Sequence, residues 1–121
     1  VSERPTQQIS SEDTFQDDLL LDEVAPHILR LAEKTWAAYL REEQRSARTI
    51  VLKLKTADFQ TLTRSYTPDS PAEDLEQFQA IALQLRERVQ MPNGTRFRLV
   101  GIGLTNFIDS NQIRPQSALF S

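Results

Sequence analysis

Between residues 71 and 91 apolar side chains recur at helical spacing. Leu75, Phe78, Ala82, Leu85 and Val89 form one stripe with Ile81 beside it, while Glu76, Gln79, Arg86 and Glu87 fall elsewhere. Ser70 is suited to cap this helix, Pro71 to occupy its first position and Glu73 to close a capping box; Pro92-Asn93-Gly94 then stops it. A second amphipathic stretch covers residues 22–41, with Val24, Ile28, Leu31, Thr35 and Ala38 on one stripe, Trp36 and Tyr39 alongside, and Pro26 in the first turn, where it is tolerated. In residues 46–56 the period changes to two. Ile50, Leu52 and Leu54 alternate with Val51, Lys53 and Lys55, which predicts a strand with one apolar and one cationic face. Thr56-Ala57-Asp58 reads as a tight turn into a second strand over 59–66, and residues 95–107 as a third. In that third strand Val100, Ile102 and Leu104 share one parity and Gly101 and Gly103 the other, leaving bare backbone on one side of the sheet. Residues 6–15, whose only apolar members are Ile9 and Phe15, complete the set as a weakly patterned strand.

The element order is strand, helix, strand, strand, helix, strand. It predicts an α+β fold in which two helices cover one face of a four-stranded antiparallel sheet, with the β-α-β unit occurring twice. The uncovered face receives Lys53, Lys55 and Arg64 or its neighbours. The 121 residues are enough for one such domain, expected over 1–107, followed by a polar, flexible tail over 108–121.

A net charge of −3 argues on average against a nucleic-acid partner, but the charge is segregated. Residues 1–45 carry five basic and ten acidic side chains and 67–91 two and five; residues 46–66 carry four basic against one acidic and 92–121 three against one. Positive charge therefore concentrates in predicted strands, and negative charge in the helices and the N-terminal segment. Asp17-Asp18 and Asp22-Glu23 read as first-turn acids of a helix rather than as catalytic pairs. His27 is the only histidine and there are no cysteines, so a metal site is not expected, and His27 reads as a helix-surface or boundary residue. No nucleophile–base arrangement, glycine-rich phosphate loop or metal-binding carboxylate set is present, so this chain is expected to catalyse nothing itself. Without cysteines, a long apolar run or a leader, the cytoplasm is the expected compartment.

The tail ends in Gln116-Ser117-Ala118-Leu119-Phe120-Ser121. A Leu-Phe pair on a polar, proline-marked segment calls for a partner that buries it, or else for a fold-back onto the domain. Gln116 with Leu119 and Phe120 is similar to the short peptide by which bacterial replication and repair proteins hold the ring-shaped sliding clamp: an amide for orientation and two apolar anchors.

Four stretches share a further likeness. They are Ser11-Glu12-Asp13-Thr14-Phe15 with the acids to Asp18; Val51-Leu52-Lys53-Leu54-Lys55 running into Ala57-Asp58-Phe59; Thr63-Arg64 with Tyr66-Thr67; and Arg98-Leu99-Val100-Gly101-Ile102-Gly103-Leu104 through Phe107. In this order they resemble the little-finger domain of Y-family translesion DNA polymerases of the bacterial DNA polymerase IV type, over about residues 5–107, with the clamp-like tail where that family carries it. The resemblance implies a sheet lying in the DNA major groove and touching phosphates, with Lys53, Lys55, Thr63, Arg64 and Arg98 as contacts that position without reading sequence. It also implies a longer parent whose palm, fingers and thumb perform the chemistry, so that the magnesium of the reaction belongs there and this chain needs no cofactor. One departure is visible: the family's Lys-Ser followed by Ile-Gly is replaced by Gln7-Gln8-Ile9-Ser10, which removes a lysine from the first strand. The expected partners are duplex DNA and a sliding clamp, with no membrane and a monomeric state. Two other readings fit the same residues: a catalytically inactive polymerase-like adaptor, and a protein-interaction domain whose open sheet, its lysines merely solvated, pairs with another domain.

Overall fold

The computed structural model describes residues 8–41 and 45–109. In chain order these form β1 (Gln8–Leu20), a single 3-10 turn (Leu21–Val24), α1 (Ala25–Tyr39), β2 (Arg45–Thr56), β3 (Thr61–Tyr66), α2 (Leu75–Glu87) and β4 (Arg96–Asp109). The predicted α+β architecture is the one observed. The strands form one antiparallel sheet in the order β1-β4-β2-β3. The two helices contact each other and share one sheet face.

Pairing explains which side chains make the core. Ile50 lies opposite Leu104, Leu52 opposite Ile102 and Leu54 opposite Val100, and all six are at most 1% exposed. Alternation along each strand sends these rows to the helices and their neighbours to the other face. Val24, Ile28, Leu31 and Thr35 of the first predicted stripe, and Phe78, Ala82 and Leu85 of the second, close over them. The buried Thr35 hydroxyl donates to the Ile102 carbonyl, 3.4 Å away, so its polar group is not stranded. Between the helices the Trp36 and Phe78 rings are 5.6 Å apart, and Gln79 Nε2 donates to the Leu29 carbonyl at 3.1 Å.

Three expectations are corrected. The second helix begins at Leu75, not at Pro71, because Asp74 is its cap: Asp74 Oδ1 accepts the Gln77 amide at 2.9 Å, and the Gln77 side chain reaches back to accept the Glu73 amide at 3.0 Å. Asp-Leu-Glu-Gln satisfies the free amides of the first turn four residues later than Ser70-Pro71-Ala72-Glu73 would have, so Ser70 and Glu73 lose the roles assigned to them. The first strand runs to Leu20 instead of ending near residue 15, passing through an irregularity between Thr14 and Leu19. Asp17 and Asp18 therefore lie on a strand, whereas Asp22 and Glu23 do fall in the first turn of a helix, the 3-10 turn, where Glu23 accepts the Leu20 amide at 2.8 Å. Arg64, third, faces the helices and not the uncovered side of the sheet.

Among the described residues no helix is long and apolar enough to cross a membrane, and no cluster of three or more His, Asp or Glu side chains could hold a metal ion.

Candidate nucleic-acid interface

The uncovered sheet face is built from residues opposite the core parity. Register sets them in rows across the strands: Glu12, Gly101, Lys53 and Thr63 in one; Ser10, Gly103, Val51 and Ser65 beside it; Thr14, Leu99, Lys55 and Thr61 on the other side. Apart from Leu99, Val51 and Glu12, every side chain in these rows is a hydroxyl or an ammonium. Such a surface donates hydrogen bonds without presenting shape or charge of one base, which suits phosphate oxygens. Gly101 and Gly103 keep the centre of the sheet flat, giving a shallow groove of about 220 Å³ that Gln8, Ser10, Lys53 and Thr63 help to line.

Lys53 and Lys55 are thus where the alternation put them, with Thr63 directly across from Lys53. Lys53 Nζ donates to Glu12 Oε2 at 3.1 Å, whereas Lys55 makes no ion pair among the described residues. Arg64 is not on this face. It pairs with Leu52, a core residue, and so points to the helix side at the sheet edge, its guanidinium donating to the Thr63 carbonyl at 2.9 Å. The hairpin register decides this, and one residue of slip would have reversed it.

Arg98 is released from the buried set by a bulge. Phe97 pairs with Thr56 and Leu99 with Lys55, so Arg98 is the extra residue, and burial passes from Phe97 to Val100 across three positions. Its guanidinium lies 4.3 Å from the centre of the Phe59 ring, a cation–π stack at the tip of the β2–β3 hairpin. The tip is tightly tied. The Thr56 amide donates to the Gln60 carbonyl at 2.8 Å and the Phe59 amide to the Thr56 carbonyl at 2.9 Å, while the Gln60 amide donates to Thr56 Oγ1 at 2.9 Å and the Thr56 hydroxyl to Asp58. Phe59 sits there with a φ of 70° and 64% of its surface exposed.

Two participants were missed from sequence. Glu12 was read only as part of an acidic segment, yet β1 pairing carries it onto the cationic face; no sequence signal fixes which of two strands β1 joins. Phe59 was taken as an ordinary strand residue, though an aromatic after Thr-Ala-Asp in a hairpin tip was a legible hint. His27 lies at the helix boundary as expected, with Nδ1 3.1 Å from Asp13 Oδ2; Arg30 binds the same carboxylate, so the trio pins α1 to β1 on the helix side of the sheet. Gln116, Leu119 and Phe120 lie outside the described residues.

Residues 6–119 match the family model described as the impB/mucB/samB family C-terminal domain. Among curated proteins, DNA polymerase IV of Xanthomonas axonopodis pv. citri is 54% identical over 99% of this chain, and that of Neisseria meningitidis serogroup A is 38% identical over 92%. The chain spans about a third of the length of these relatives, 35% and 31%. Among solved structures, the little finger domain of PolIV in complex with a β-clamp processivity factor superposes with a TM-score of 0.63 at 24% identity, covering 81% of this chain and 86% of that one. An insertion ternary complex of Dbh DNA polymerase gives a TM-score of 0.70 at 13% identity over 88% of this chain and 31% of that one. At such identities these superpositions establish the fold.

Proposed function

This chain belongs to the impB/mucB/samB family C-terminal domain, and on that footing we propose that it is the DNA-binding and clamp-tethering module of a translesion DNA polymerase of the DNA polymerase IV type. The observation that carries the reading is the uncovered sheet face, where Lys53 and Lys55 stand among hydroxyl side chains over a flat glycine floor. Those donors would engage backbone phosphates, and a surface so poor in base-reading groups would hold any sequence, as a polymerase copying altered templates requires. Arg98, held by Phe59 beside the Lys55 row, extends the same surface; Arg64, facing the helices, is given no part in it.

The catalytic carboxylates and their magnesium would belong to the remaining two thirds of a parent of the relatives' length, acting in the cytoplasm. Gln116, Leu119 and Phe120 would bind the sliding clamp. Their support is the spacing of one amide and two apolar anchors, together with the existence of a little finger–clamp complex among proteins of this fold.

The test is salt-dependent binding of a labelled duplex followed by anisotropy. Each phosphate neutralised contributes a log–log slope of about −0.9, so replacing Lys53 and Lys55 together by Ala should flatten the slope by roughly two units. Two duplexes of unrelated sequence should bind alike. An unchanged slope removes the sheet-face assignment.

A further inference from the structure

We propose that Glu12 is an internal stand-in for DNA phosphate: in the free protein its carboxylate occupies Lys53, and binding requires a phosphate to displace it. The inference rests on the reading of the open sheet as a DNA surface and adds a competitor built into that surface.

The geometry is unusual for a surface ion pair. Glu12 and Lys53 are not on adjacent strands; β4 runs between them, and the residue separating them in their row is Gly101. Two strand spacings amount to about 9.5 Å, so the Glu12 side chain has to lie flat over β4 to bring Oε2 within 3.1 Å of Nζ. The absence of a side chain at position 101 leaves that path clear. A β-carbon there would come to 3.0 Å from Glu12 Cγ, a tight contact that the glutamate could accommodate only by shifting a few tenths of an ångström. The glycine thus gives the carboxylate its route.

The chemistry of the exchange is simple. A carboxylate oxygen and a phosphodiester oxygen are both anionic acceptors for an ammonium group, and Thr63 across the row and Lys55 beside it stand ready to donate to the incoming phosphate. Both ends of the pair are open to water, Lys53 at 41% and Glu12 at 46% of their side-chain surface, so the bridge is weak enough to be exchanged and adds little to folding. Once displaced, Glu12 can turn outward into solvent. Its effect is to hold the affinity of the free domain down.

The test is a two-by-two comparison in the 121-residue chain: wild type, Glu12→Gln, Lys53→Ala and the double variant, each titrated against the same duplex at low salt, with circular dichroism to confirm folding. Glu12→Gln should tighten binding about two- to fivefold, the range a half-exposed ion pair allows, and this gain should vanish in the Lys53→Ala background. An equal gain in both backgrounds would make Glu12 a mere source of repulsion, and no gain in either would deny it any role; either result overturns the inference. If Lys53→Ala with Lys55→Ala weakens binding while Glu12→Gln changes nothing, only the inference fails. If those lysine changes leave binding and its salt slope untouched, the DNA-surface reading fails and the inference with it.

Discussion

Phe59 occupies the left-handed backbone region, where a β-carbon costs roughly 1–2 kcal/mol. In most strands and helices glycine is less stable than alanine, but here the order should invert. Both Phe59→Gly and Phe59→Ala lose the stack on Arg98, but only glycine relieves the backbone, so urea melts should find the glycine variant more stable than the alanine variant by about 1 kcal/mol. Alanine melting at or above glycine would mean that the tip relaxes out of this conformation. Asn106, with a φ of 62°, takes the same region with a residue type that tolerates it, and its amide donates to Thr49 Oγ1 at 3.4 Å. At this scale the sequence was legible wherever parity decided. Lys53 and Lys55 had to leave the core because Leu52 and Leu54 entered it. Arg64 was not legible, since its face depends on how many residues the hairpin turn consumes, and neither was the bulge that frees Arg98.

Among elements, α2 shows how a boundary escapes pattern reading. Its apolar stripe was plain, but two caps competed four residues apart, and the sequence Ser70-Pro71 is as good a start as Asp74-Leu75. Asp74 wins where its side chain meets the Gln77 amide. Asp74→Ala should therefore cost about 0.5–2 kcal/mol, and Ser70→Ala next to nothing. Leu85→Ala, at a site 1% exposed, should cost roughly 2–5 kcal/mol. Denaturant melts of the three variants check the ranking, and a costly Ser70→Ala would restore the earlier start. β1 illustrates the opposite difficulty. Its alternation is faint because only Phe15 and Leu19 pack against the core, and its length is set by the partner strand β4, which no local signal in residues 8–20 describes.

For the whole molecule, the segregation of charge survives folding only in part: Arg64 faces the helices, and β1 is an acidic strand. The lysines of β2 do gather on the uncovered face, but β1 is a sheet member and brings Glu12 to the same face, so that surface is mixed where the row of Lys53 crosses it. On the proposed reading, the weak DNA binding expected of such a mixed surface places weight on a second attachment. A peptide of residues 112–121 should bind a bacterial sliding clamp with about micromolar affinity, since two anchors contribute about 1.5–3 kcal/mol each before the cost of ordering the segment. Changing Leu119 and Phe120 to Ala should abolish it. Calorimetric titration showing no saturable binding at high micromolar concentration would remove the clamp from the proposal.

The strand order has one more consequence, for synthesis. Among the described elements β4 is the last made, yet it sits second in the sheet and supplies, among the described residues, the only pairing of β1 and the longer pairing of β2. A nascent chain that has emerged as far as α2 holds a hairpin, two amphipathic helices and an orphaned first strand around an open slot. Nothing cooperative can close until residues 96–109 leave the ribosome and insert between strands made up to a hundred residues earlier. The domain should therefore remain unfolded, and dependent on chaperones, for nearly the whole of its translation, and then fold in a single late step.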